Sequence, residues 1–498
     1  MKSTFATLLS FVLLTVYVAN VSATVYQTFD ALPQNKQFDY IVVGGNIGGS
    51  VVASRLSENL FTSVLLIEAG PDSKNKELLA IPGNYPNSIP CRFHWNFTTT
   101  PQEGLGRRSI DYDRGFVFGG STSVNGMVYT CGAAEDYDRW AKVTGDLGWT
   151  WALLWPYTIK YERFKGATGN KRSVGQFNPL SHGYLGKSKV GLPWSGPTKF
   201  DNCAMAAAKD PKSEFKFNLD LNSSKPLGLT WTQSMSGEGE RSSASKAYLT
   251  PDVRRPNLHV LATSQASKKD IRTVETVTAM QEVILSAGAI GTSQILLNSG
   301  IGDSAETLGR TLATTSQRSR LVTSTQADPP LIHLRTNATL LPKSNIGNQM
   351  YGGAAVLMTP QSRGTVKIAS SNPFDKPLID LGFLTHPFDI LALKDGVRTM
   401  KRFFAHPAWA NYIATNISPD PDAMGEGEWE GLTRSKGAAN GAVYPNLKVK
   451  GLKGLRILFS PTPRMTVPTD ESFVPTGHSM AAIYILSECA SGLIKWRL

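Results

Sequence analysis

The chain of 498 residues has only four cysteines and seven histidines, and no apolar run long enough to cross a bilayer. Cys91, Cys131, Cys203 and Cys489 show no short paired spacing, which excludes a zinc ribbon or a redox dithiol as the basis of function. One disulfide remains compatible with an oxidising compartment, and spacing alone does not choose the pair. Near the N-terminus, Leu8 to Val18 is apolar but falls short of the roughly 18 residues that a membrane span requires. With Lys2 before it and Val21-Ser22-Ala23 after it, this stretch fits a secretory signal over residues 1–23, cleaved after Ala23, so no membrane anchor is expected. Lysine and arginine outnumber acidic residues by 51 to 39, yet they are scattered and not interleaved with aromatics, so no nucleic-acid partner is expected.

Against these absences stand a hydrophobic content of 41% and 45 glycines, which fit a globular α/β enzyme with more than one domain. Sequons at Asn96, Asn222, Asn337 and Asn416 agree with export.

The first chemical signal is a strand, a glycine turn and a helix. Asp39 to Val43 is compact and apolar, and it runs into Gly44-Gly45-Asn46-Ile47-Gly48-Gly49, after which Val52 and Leu56 recur one turn apart. A second buried strand, Val64 to Ile67, ends in Glu68, where a carboxylate can accept hydrogen bonds from ribose hydroxyls and would repel a 2′-phosphate. This is the order of a dinucleotide-binding βαβ unit, with Gly44, Gly45, Gly49 and Glu68 as binding residues. Asn46 holds the place where a middle glycine normally lets the backbone approach the pyrophosphate. Asparagine suits it better than most residues because it tolerates positive φ.

Two longer segments follow. Gly115-Phe116-Val117-Phe118-Gly119-Gly120-Ser121-Thr122-Ser123-Val124-Asn125-Gly126-Met127-Val128-Tyr129 resembles the first signature of the glucose-methanol-choline (GMC) oxidoreductases, with Phe116 and Phe118 in place of the usual basic and aliphatic residues. Gly288-Ala289-Ile290-Gly291-Thr292-Ser293-Gln294-Ile295-Leu296-Leu297-Asn298-Ser299-Gly300-Ile301-Gly302 resembles the second, and follows a strand expected over Glu282 to Ser286. Trp95-Asn96-Phe97-Thr98 and Asn372-Pro373-Phe374-Asp375 are similar to segments of the fungal aryl-alcohol oxidase branch.

The resemblance implies an α/β fold: a Rossmann-like FAD-binding domain of the GMC type with an inserted α+β substrate-binding domain. It places the N-terminal region over 36–310 with an insertion at about 166–255, a shortened substrate-domain part over 311–430, and a C-terminal region over 352–492 that returns to the FAD domain from about 440. It implies FAD as cofactor, with Gly119, Gly120, Ser121, Asn125, Gly126, Met127, Val128 and Gly288 against it, no metal, and Phe97 near the substrate channel. The implied reaction is oxidation of a primary aromatic or allylic alcohol by hydride transfer to flavin, with oxygen or a quinone-like acceptor taking the electrons, in a secreted monomer.

A base must take the hydroxyl proton, and histidine suits that task because its pKa lies near working pH. The resemblance assigns it to His478, in Val474-Pro475-Thr476-Gly477-His478. The family's other histidine, in a His-Pro-Val-Gly-like segment, is missing. None of His94, His182, His259, His333, His386 and His406 precedes Pro-Val-Gly or falls between Trp429 and Tyr444. Breaks after Leu261, after Gly302 and after Trp429 look like internal deletions, so a catalytically impaired FAD-binding protein and an aberrantly spliced product stand as alternatives.

Overall fold

The computed structural model describes residues 25–73, 77–84, 91–167, 169, 173–192, 197–263, 276–302, 332–333, 354–370, 372–413, 420–434, 455–457 and 479–495. The expected signal segment, the sequons at Asn337 and Asn416, and His478 lie outside the described residues.

A parallel sheet gathers six strands from distant parts of the chain: β1 (Val25–Tyr26), β2 (Gln37–Val43), β3 (Val64–Ile67), β4 (Leu258–Leu261), β5 (Thr278–Leu285) and β6 (Leu455–Ile457). Their order is β1, β4, β3, β2, β5, β6. β5 begins and ends earlier than the strand expected over Glu282 to Ser286. The middle strands are apolar on both faces because a parallel sheet is covered on both sides. Tyr40 and Val42 pack into one core, while Ile41 and Val43 pack into the other, as a two-residue repeat requires.

Helix α1 (Ile47–Leu56) crosses from β2 to β3 on the face of Tyr40 and Val42. Helix α2 (Trp151–Tyr161) joins that layer, α3 (Gly288–Asn298) packs Ile295 and Leu296 against the opposite core, and α4 (Ser479–Lys495) completes the first layer. Helix α4 reads as a run of small and apolar residues, and it is buried along nearly its whole length. Glu488 is fully buried in it and is held by Arg55 of α1 at 2.7 Å, Lys160 of α2 at 2.8 Å and the Tyr248 hydroxyl at 2.8 Å. A carboxylate taken out of water is costly unless it is paired, and here two cations and a hydroxyl meet it. The ion cluster therefore fixes α4 to the helix that carries the first glycine turn.

Between β3 and β4 the chain forms a parallel strand pair, Glu162–Ala167 and Ser188–Leu192, whose Phe164, Val190 and Leu192 join the core of Tyr40 and Val42. Beside it lies a buried polar cluster: His182 bridges Glu162 and Asp220 at 2.7 Å each, with all three side chains fully buried. The two carboxylates push the imidazole up to about 9 against the opposing effect of burial, so it is the charged partner of the cluster at neutral pH. Asn222 belongs to the same network, accepting from the Cys131 N–H at 2.7 Å and donating to Gln233 at 2.7 Å. It is thus a buried structural residue rather than the surface acceptor that its sequon suggested. Cys131, Cys203 and Cys489 are free thiols among the described residues.

Candidate functional site

The site forms where β3 and β5 flank the C-terminal end of β2, which is the switch point at which open α/β sheets bind ligands. Three stretches meet there. Gly44 leaves β2 with a φ of +99°, and a Cβ on it would lie 2.4 Å from the Ser286 carbonyl oxygen at the end of β5. At Gly49 a Cβ would lie only 1.8 Å from the Gly44 carbonyl oxygen. Glycine is required at both places by contact with backbone, which cannot swing aside as a side chain can. The Gly45 carbonyl accepts from the Gly119 N–H at 2.7 Å, which joins the first turn to the first signature loop.

Glu68 ends β3 and holds the turn from the other side. Its Oε2 accepts from the Gly45 N–H at 2.6 Å and its Oε1 from the Gly70 N–H at 2.7 Å. Burial pushes the carboxyl up to about 7, although the backbone N–H groups of Gly70, Gly45 and Ala69 oppose the rise. Each carboxylate oxygen has a second lone pair, so the group can serve the turn and a ligand hydroxyl together.

Asn46 does not adopt the positive φ expected for it. Its φ is −78°, and it caps α1 by accepting from the Gly49 N–H at 3.4 Å. The conformation follows from its place as the last residue before the helix, where extended backbone and a short polar side chain are favoured. Its Cβ lies 2.9 Å from where a Cβ on Gly120 would be, and its Nδ2 lies 3.9 Å from the corresponding point at Gly288. The two signature glycines thus leave room for the asparagine.

A cavity opens between these elements, with about 930 Å³ of empty space including its mouth. Of the residues expected from sequence, Gly44, Glu68, Gly120, Ser121 and Gly288 line it. Gly45 and Gly49 shape the turn behind them. Asn125, Gly126, Met127 and Val128 are not among the lining residues. Asn125 Nδ2 instead lies 3.3 Å from Met480 Sδ of α4, the Met127 N–H donates to Asn125 Oδ1 at 3.1 Å, and Val128 bridges to Ser234. Arg241, which sequence reasoning missed, is buried and donates to the carbonyls of Thr122 and Asn125 at 3.1 Å and 2.6 Å, stitching the loop together.

At its rim the cavity meets aromatics that were partly foreseen. Phe97 lines it and is also packed in a core with Phe383. Trp95 stacks on Phe97 at 5.6 Å between ring centres and meets Phe116 edge-on at 4.8 Å. Phe116, standing where a basic residue was expected, therefore belongs to this aromatic cluster, and Arg114 is the cation that lines the cavity. Gln294 and Asn298, one turn apart on α3, line it too. No histidine does so among the described residues. His259 bonds to Tyr26, while His386 and His406 cap the starts of helices, so these three have structural work.

Comparison with known proteins agrees with this geometry. Models described as GMC oxidoreductase match residues 38–316 and 360–458. A pyranose dehydrogenase from Agaricus xanthodermus is 31% identical over 98% of this chain and 97% of its own length. That alignment spans 598 positions, more than the chain has residues, so the relative carries internal segments that this chain lacks. An FAD-dependent oxidoreductase from Chaetomium thermophilum superposes with a TM-score of 0.73 at 22% identity, covering 92% of this chain and 99% of that one. A fungal aryl-alcohol oxidase superposes with a TM-score of 0.69 at 18% identity, covering 94% of this chain and 100% of that one.

FAD is the cofactor of this scaffold, and the residues fit it. Glycines stand where a Cβ would strike backbone, a buried carboxylate stands at the end of β3, and the cavity between them is open. With two family models together matching most of its length, the chain belongs to the GMC oxidoreductase family.

Proposed function

We propose that the chain oxidises a CH–OH carbon of an alcohol or sugar, with His478 as the base, and that it is an exported monomer handing electrons to oxygen or a quinone-like acceptor. The observation that supports it most is the cavity at the ends of β2, β3 and β5, with Glu68 and the glycine turn on its wall. Gly44, Gly45, Gly49, Gly120, Ser121 and Gly288 would hold the cofactor by close backbone approach, and Glu68 would accept from its ribose. Bound FAD would take up the hydride from the carbinol carbon. His478 would accept the hydroxyl proton on an imidazole nitrogen, and the aromatic rim would exclude water. Asn125, Gly126, Met127 and Val128 would support this end of the site as one loop, anchored to α4 through Asn125.

Pyranose oxidation is favoured by the 31% identity to a pyranose dehydrogenase over nearly the whole of both chains. The test is anaerobic bleaching of protein-bound flavin by a pyranose and by a primary aromatic alcohol. Faster bleaching by the pyranose is expected. Bleaching by dithionite alone, with neither substrate active, would contradict the oxidoreductase reading.

Two further outcomes are expected for cofactor binding. Asn46→Gly should raise the flavin-to-protein ratio after purification, because it opens the mouth between Gly120 and Gly288. The lost cap costs only a few tenths of a kcal/mol. Equal or lower occupancy would sink that expectation. The second concerns pH. A carboxylate accepts from ribose hydroxyls better than a neutral carboxyl, and Glu68 titrates near 7 in the folded protein. FAD affinity should therefore fall as pH drops below about 7, by up to about tenfold per unit, and level off above it. Fluorescence titration checks this, and Glu68→Gln should flatten the dependence.

A further inference from the structure

Two sequons lie among the described residues, and their environments are opposite. Asn222 is 2% exposed, with Oδ1 taken by the Cys131 N–H and Nδ2 committed to Gln233. A glycan would replace a hydrogen on that Nδ2, which is donated to the buried Gln233 in a residue with almost no surface of its own. Asn96 is exposed, and so is Thr98 at the third sequon position. It sits with a φ of +50° between the short helix Cys91–Phe93 and the strand Phe97–Thr98. Asparagine is one of the few residues that enter this region readily. The Asn96 side chain makes no hydrogen bond among the described residues, while Lys376 Nζ donates to its backbone carbonyl at 2.7 Å and steadies the turn. Its neighbours Trp95 and Phe97 line the cavity.

We propose that Asn96 carries an N-linked glycan and Asn222 does not, so that a sugar chain stands at the rim of the cofactor cavity. This rests on the reading that the chain is exported. The transfer joins Asn96 Nδ2 to the first sugar carbon of a lipid-diphosphate-linked oligosaccharide, while the bond from that carbon to the diphosphate breaks. The lipid diphosphate leaves, and the amide gives up one proton.

The full chain is secreted from a eukaryotic host behind its own N-terminal segment and, in parallel, behind a leader of known function. The product is treated with the amidase that removes N-glycans and converts each occupied asparagine to aspartate, and its peptides are then weighed. Conversion is expected at Asn96 and not at Asn222. Asn96→Gln should lose that glycan while its visible spectrum stays that of the wild type. Conversion at Asn222, or an unconverted Asn96 in protein secreted behind the known leader, overturns the proposal. If only the known leader delivers protein, and that protein is converted at Asn96, the glycan site stands and the export reading falls.

Discussion

Gly49→Ala is expected to destroy the cofactor site and most of the protein's stability. The new methyl would sit 1.8 Å from the Gly44 carbonyl oxygen, and both atoms belong to a turn held by Glu68 and Gly119. Relief requires moving either α1 away from β2 or the turn away from β5. Overpacking of a rigid core costs about 1–3 kcal/mol where side chains can shift, and this clash is with backbone, so at least about 3 kcal/mol is expected. That is a large part of the roughly 5–15 kcal/mol that a domain has in hand. Thermal unfolding and flavin content should both drop sharply. Gly83→Ala is the control, since a Cβ there meets nothing within 4 Å and the residue is exposed. A Gly49→Ala protein that melts and binds flavin like the Gly83→Ala control would show that the turn is not built as described.

The second large effect is expected at His478. General acid–base groups contribute roughly 10² to 10⁴ in rate, and His478→Ala should slow anaerobic flavin reduction by such a factor. The chain has no His-Pro-Val-Gly segment between Trp429 and Tyr444. Its wild-type reduction should already be slow, and inserting that segment between Trp429 and Gly437 should speed it. Stopped-flow bleaching of the three proteins separates the cases. Fast wild-type reduction that persists in His478→Ala would mean that another group is the base. Helix α4, which begins at Ser479, is locked to α1 by Glu488, so its melting temperature should not change with His478.

How far the sequence foretold the structure depended on the range of the contacts involved. The β2–α1–β3 unit and Glu68 were legible because apolar spacing, glycines and one carboxylate all lie within about one supersecondary unit. The helix after β5 was legible for the same reason. Asn46 was misjudged because its φ is set by the start of α1, where a capping side chain favours extended backbone over the left-handed turn. Asn222 looked like a surface sequon, but its burial comes from Cys131 and Gln233, 91 and 11 residues away. Arg241 gave no local signal at all, since its partners Thr122 and Asn125 lie 119 and 116 residues earlier. Gln294 and Asn298 stand one turn apart within the second signature, but the same helix carries Thr292 and Ser293, so its own sequence did not mark the two as cavity wall.

The cofactor site itself is tested most directly by the visible spectrum of the purified full-length protein, before and after incubation with excess FAD and removal of the unbound fraction. Flavin bands are expected, and denaturation should release the FAD into the filtrate, since the proposed contacts of Glu68 and the glycine turn are hydrogen bonds and close backbone approach. A folded protein that is colourless and retains no added FAD would contradict the assignment.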